Sequence, residues 1–178
     1  MPEPIERVWL SEQTLRRRVK ELAAEIDQEY DDSHPPRLIT ILKGGVFFMT
    51  DLSRALTVPH TLDYLSILPY AAQDRSGEAR IVKDLDDPIE GVRVLLVEDV
   101  IDTGLTLSYI CRNLERRGPL DLKVCSLLDR PQRRLVDAPV HFKGFDAPDD
   151  FLVGYGLDWR QQYRSLPYIG LLKRSMVK

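Results

Sequence analysis

The run Val92-Arg93-Val94-Leu95-Leu96-Val97 leads straight into Glu98-Asp99-Val100-Ile101-Asp102-Thr103-Gly104-Leu105-Thr106. Its first part is short, rich in valine and leucine, and apolar at successive positions. That pattern suits a strand buried on both faces rather than a one-sided helix. Strands of this kind belong to parallel sheets covered by helices on each side. The polar segment from Glu98 to Gly104 then reads as a loop, and Leu107 to Arg116 has helical spacing. Three carboxylates therefore fall at the carboxyl end of a central strand, where open α/β sheets bind their ligands.

The rest of the chain agrees with an α/β fold. Ser11 is a suitable N-cap, and Leu15, Val19, Leu22, Ala23, Ile26 and Tyr30 then share one helical face. Asp31-Asp32-Ser33-His34-Pro35-Pro36 ends that segment. Leu38 to Leu42 reads as a strand, Lys43-Gly44-Gly45 as a turn, and Val46 to Leu56 as a helix. Further strands are expected over His60–Leu68, from Ile81, over Leu122–Leu128, and near Val140–Phe142, Phe151–Val153 and Tyr168–Leu172. Pro69 to Arg80 lacks apolar periodicity and reads as a long functional loop. A chain of 178 residues suits one domain. The expected architecture is a doubly wound, mostly parallel sheet, with a core over about 36–145 and a hood from 1–10 and 146–178.

Composition narrows the partners. The chain carries 25 basic and 28 acidic residues, a net charge of −3, without the basic surplus of a protein that grips nucleic acid by its phosphates. No apolar run reaches membrane-spanning length, and the acidic N-terminus has no signal-like stretch. Cys111 and Cys125 lie among apolar neighbours without a metal-ligand spacing, so they read as core thiols of a reducing, cytoplasmic compartment.

The Thr103-Gly104-Leu105-Thr106 turn opens a helix, where free backbone N–H groups and two hydroxyls make a phosphate cradle. Carboxylates beside a phosphate site suit sugar hydroxyls or Mg²⁺. Taken singly, Asp99 and Asp102 would read as helix caps and Gly104 as a turn residue.

The whole stretch resembles the phosphoribosyl pyrophosphate (PRPP) signature of the type I phosphoribosyltransferases. The form Glu-Asp-x-Ile-Asp-Thr-Gly-x-Thr is similar to that of the hypoxanthine-guanine phosphoribosyltransferases. Leu42-Lys43-Gly44-Gly45 resembles the family's pyrophosphate loop, and Ser126-Leu127-Leu128-Asp129-Arg130-Pro131 its purine-recognition strand end. Phe151 to Asp158, with Arg164, resembles its C-terminal hood. Four motifs in order over ~120 residues make a strong signal.

The resemblance implies a fold, a reaction and residue roles. A 6-oxopurine, hypoxanthine or guanine, attacks C1 of PRPP through an oxocarbenium-like transition state, and pyrophosphate leaves. Asp102 would be the general base at purine N7. Glu98 and Asp99 would hold the ribose hydroxyls directly or through Mg²⁺-bound water, and Asp158 would also bind Mg²⁺. Thr103, Gly104, Leu105 and Thr106 would bind the 5′-phosphate. Lys43, Gly44 and Arg164 would meet pyrophosphate, and the peptide before Lys43 can be cis in this family. Phe151 would stack on the purine, Leu152 would read its edge, and Arg130 would donate to its exocyclic oxygen. Tyr70 would belong to a closing lid. Two departures stand out: Arg130 replaces the usual lysine, and Pro69 the usual lid serine. The resemblance further implies a homodimer or homotetramer.

A regulator of the same fold that binds RNA or DNA is the competing class. Asp102 and the absence of a basic surplus favour the enzyme. An adenine or orotate enzyme is disfavoured by Asp102 and by the Phe151–Asp158 segment.

Overall fold

The computed structural model describes residues 4–68 and 80–176. In chain order the elements are β1 (Ile5–Leu10), α1 (Glu12–Asp27), β2 (Arg37–Leu42), α2 (Gly45–Ala55), β3 (Thr61–Leu68), β4 (Arg80–Lys83), β5 (Arg93–Ile101), α3 (Leu105–Glu115), β6 (Asp121–Asp129), β7 (Phe142–Asp146), β8 (Leu152–Val153) and β9 (Ile169–Leu172). The lid expectation, with Pro69 and Tyr70, lies outside the described residues.

Six strands form the main sheet in the order β4-β3-β2-β5-β6-β7. All its pairings are parallel except β3 with the edge strand β4. The mostly parallel sheet expected from the sequence is present. Alternate side chains of β5 feed two different cores. Leu95 and Val97 pack with α1 and α2, whose Leu15, Leu22, Phe48 and Met49 are fully buried. Val94 and Leu96 pack with α3 through Leu107, Ile110 and Leu114. The helix after β2 and the helix after β5 thus cover opposite faces, which opens a crevice between the ends of the two strands.

A smaller antiparallel sheet, β1-β9-β8, joins the N-terminal segment to the C-terminal one. Its Ile5, Val153 and Leu172 form a small core of their own. Leu10, Leu152 and Leu171 reach back into the main core and seat this sheet on it.

The structure corrects several expected boundaries. Glu98 to Ile101 is strand rather than loop, because β6 continues alongside and pairs Val100 with Leu128 and Ile101 with Asp129. Helix α3 begins at Leu105, two positions before the apolar spacing starts. The strand expected near Val140–Phe142 runs instead over Phe142–Asp146. At its centre, a Cβ on Gly144 would lie 2.3 Å from the Leu127 carbonyl oxygen, so glycine here serves close backbone approach rather than a turn. Strand β1 was not anticipated as a strand.

Gly156, in the connection after β8, packs directly on the β2–α2 turn. It has φ +99°, and a Cβ there would lie 2.2 Å from the Gly44 carbonyl oxygen. Gly156→Ala should therefore strain the backbone by about 1–3 kcal/mol. The expected outcome is a fall in Tm at about 2–4 °C per kcal/mol, measured by calorimetry. An unchanged Tm would contradict this packing.

Candidate active site

The close approach of the β2–α2 turn to β5 builds the floor of the crevice. The Thr40 hydroxyl donates to the Val97 carbonyl at 2.6 Å and ties β2 to β5. A Cβ on Gly45 would meet that hydroxyl oxygen at 2.1 Å, and one on Gly44 would meet Asp99 Oδ2 at 1.8 Å. Only glycines at both positions let the turn lie this close to the strand. The Leu42–Lys43 peptide is cis.

Strand alternation sends the two acidic residues in opposite directions. Asp99 points toward Gly44 and lines a cavity of about 540 Å³, shared with Val100, Asp102, Arg130, Phe151, Asp158 and Arg164. Glu98 faces the α3 side and lines a smaller cavity of about 170 Å³ with Thr103, Gly104 and Thr106. Val100 and Asp102 border both cavities and mark where they meet.

Both carboxyls are raised in pKa. Burial, reinforced by Asp99, holds the Glu98 carboxyl well above the usual range, and Glu98 Oε1 is buried with no partner among the described residues. Burial also pushes Asp99 up to about 6, although the Val100 N–H donates to Asp99 Oδ1 at 2.8 Å. Arg164 pulls this value down and Asp158 pushes it up.

The smaller cavity has the features of an anion cradle. Gly104 takes φ +81° and no side chain caps α3. The Thr103 hydroxyl accepts from the Leu105 N–H at a long 3.4 Å. First-turn N–H groups are thereby available to a ligand.

Around the larger cavity, arginines surround Asp102. Arg133 Nε lies 3.0 Å from Asp102 Oδ1, and Arg130 Nη1 lies 4.0 Å from Oδ2. Arg134 donates to the Asp102 carbonyl at 3.1 Å and pairs with Asp129. Arg130 is 8% exposed and donates from Nη2 to the Asp150 carbonyl at 2.7 Å. Burial pushes its guanidinium pKa down, with Asp102 the main opposing influence. Phe151 stands 40% exposed on the rim, and Leu152 is buried beside it. Arg133, Asp149 and Asp150 also line this cavity, and no local pattern singled them out.

The expected pyrophosphate residues meet where the β2–α2 turn faces the β8–β9 connection. Lys43 donates to Gln161 Oε1 at 3.2 Å, and Arg164 pairs with Asp158 at 2.7 Å. The three carboxylates expected to hold a metal are not gathered. Glu98 lies across the strand from Asp99, and among the described residues no three acidic, His or Cys side chains form a metal cage. Asp99 and Asp158, which share the larger cavity, still fit Mg²⁺ held by one or two carboxylates with water and pyrophosphate oxygens.

Comparisons with known proteins agree with this geometry. The model of the phosphoribosyl transferase domain matches residues 10–160. A Bacillus subtilis protein named hypoxanthine-guanine phosphoribosyltransferase is 44% identical over 177 residues, covering 99% of this chain and 98% of its own. A solved Staphylococcus aureus hypoxanthine phosphoribosyltransferase superposes with TM-score 0.92 at 38% identity, covering 98% of this chain and 95% of its own. The Trypanosoma cruzi hypoxanthine phosphoribosyltransferase in complex with the product IMP gives TM-score 0.91 at 34% identity, with 98% of each chain covered.

The raised Asp99 pKa has a stability consequence. The native carboxyl titrates near 6 and the unfolded one near 3.8. Below both values the two states are protonated alike. As pH rises through this window, the unfolded state ionises first and native stability falls. Asp99→Asn should thus raise Tm by a few degrees at pH 7.5, at about 2–4 °C per kcal/mol, and by much less at pH 4.5. Calorimetry at the two pH values checks this; the same difference at both would contradict the assignment.

Proposed function

The chain belongs to the phosphoribosyltransferase family, and on that premise we propose how its residues share the reaction. It is a purine-salvage enzyme, a pentosyltransferase that moves the 5-phosphoribosyl group from PRPP to hypoxanthine or guanine. The products are IMP or GMP and pyrophosphate. One observation carries the assignment of roles: Asp102 stands where a phosphate-sized cradle meets a larger cavity rimmed by Phe151 and Arg130. PRPP spans the two, with its 5′-phosphate on Thr103–Thr106 and its C1 beside Asp102.

Each residue then has a task. Asp102 accepts the purine N7 proton during attack on C1 and returns it in the reverse direction. Asp99 and Glu98 reach the ribose hydroxyls from opposite faces of β5, and their negative charge favours the cation developing at C1. Lys43 and Arg164 receive the charge of departing pyrophosphate, with the Gly44 backbone held against it. Phe151 stacks on the base, and Leu152 reads its edge through backbone groups. Arg130 donates to O6; facing the amino group of adenine, two donors would oppose each other.

Asp99 and Asp158 are the residues that would hold Mg²⁺, while Glu98, on the other face of β5, would meet the ribose rather than this cation. When bound, the cation neutralises pyrophosphate charge and so eases its departure. The active form is a homodimer or homotetramer in the cytoplasm. Two buried free thiols support a reducing compartment, and among the described residues no helix is long and apolar enough to cross a membrane. No observation favours the nucleic-acid-binding alternative.

Pyrophosphate release from PRPP and Mg²⁺ tests this reading: hypoxanthine and guanine should support turnover and adenine almost none. Asp102→Asn should keep PRPP binding and lower kcat by about 10²–10⁴-fold. Wild-type turnover in that variant would remove Asp102 from the chemistry. Arg130→Ala should raise purine KM by about tenfold or more with little change for PRPP, as expected for losing a charged hydrogen bond. Arg130→Lys should retain activity. Normal handling of hypoxanthine by Arg130→Ala would refute the purine contact.

A further inference from the structure

Lys43, in the β2–α2 turn, and Arg164, in the β8–β9 connection, converge on a single neutral acceptor. Gln161 Oε1 accepts from Lys43 Nζ at 3.2 Å and from Arg164 Nη2 at 3.4 Å. The backbone that carries this side chain is held by Asp158. Gln161 has φ +64°, and its backbone N–H donates to Asp158 Oδ2 at 2.7 Å. Asp158 Oδ1 pairs with Arg164 Nη2 at 2.7 Å, while Arg164 Nη1 donates to the Gly156 carbonyl at 2.6 Å. Two cations that would otherwise repel each other are thereby bridged by one amide oxygen.

Building on the assignment of Lys43 and Arg164 to pyrophosphate, we infer that Gln161 is a built-in competitor for the pyrophosphate group. Its amide oxygen occupies, in the free protein, a position that a phosphoryl oxygen takes when PRPP or pyrophosphate binds. Anion entry requires the amide to swing aside, and anion departure lets it return. A neutral amide suits this duty. It holds the cations together without neutralising them, so a polyanion displaces it readily. A carboxylate at the same position would hold them about twice as strongly. Gln161 is exposed, so its competition is moderate rather than prohibitive.

The backbone strain at this position does not confuse the test, because alanine and glutamate carry the same Cβ as glutamine. Calorimetric titration of magnesium pyrophosphate and of PRPP into the protein reads the effect directly. Gln161→Ala should bind both about two- to tenfold tighter, since the internal acceptor is gone. Gln161→Glu should bind both about tenfold more weakly, the charged competitor being stronger. Purine KM should stay unchanged in both variants, and matching Tm values would confirm folding. A merely structural Gln161 would move both variants in the same direction. Lys43→Ala, titrated in parallel, separates the inference from its premise. If Lys43→Ala binds pyrophosphate normally, the pyrophosphate assignment fails. If Lys43→Ala weakens binding but Gln161→Ala leaves it unchanged or weaker, the competitor role is overturned.

Discussion

The pleat of one strand organises this molecule's chemistry. Successive side chains of β5 point to opposite faces, so the residues that seal two hydrophobic cores are continued by carboxylates that face two cavities. Leu95 and Val97 prepare the side on which Asp99 emerges, and Val94 and Leu96 the side on which Glu98 emerges. The strand end therefore acts as a partition. PRPP, with anionic ends and a hydroxyl-bearing middle, has the form that the proposed reading places across it.

This arrangement works against stability. Two adjacent carboxyls are drawn out of water, and burial raises both pKa values. Among the described residues nothing satisfies Glu98 Oε1. On the proposed reading the same groups would meet ribose hydroxyls and a cation when substrate binds, and that binding would offset the cost. Asp102 differs in having cations close by: Arg133 and Arg130 lie beside its carboxylate and Arg134 donates to its carbonyl, although Oδ1 accepts no hydrogen bond among the described residues. The two carboxyls of β5 are thus held by burial, while the Asp102 carboxylate is held by neighbouring cations.

What could be read in the sequence was local. The carboxylates and the Thr103–Thr106 turn are contiguous, so their spacing carries their chemistry. Helix α1 could be read from Ser11 and the apolar face that follows, because capping and a 3.6-residue period are local signals. Strand β1 escaped because register shifts on both sides of Arg7 and Val8 break the alternation that marks a half-buried strand. Glu98–Ile101 looked like a loop because polarity was visible and its pairing with β6 was not. The Lys43–Gln161 contact joins residues 118 apart in the chain and leaves no local trace. The Arg133–Asp102 pair was equally hidden, because which of several neighbouring arginines turns inward is decided by the turn after β6.

A crystal structure with PRPP, Mg²⁺ and an unreactive purine analogue tests the partition most directly. The 5′-phosphate should lie on the α3 side of β5 against Thr103–Thr106. Pyrophosphate should lie on the α2 side between Lys43 and Arg164, with the purine between Phe151 and Arg130 and its N7 facing Asp102. A ligand confined to one side of β5, or a purine remote from Asp102, would contradict the account.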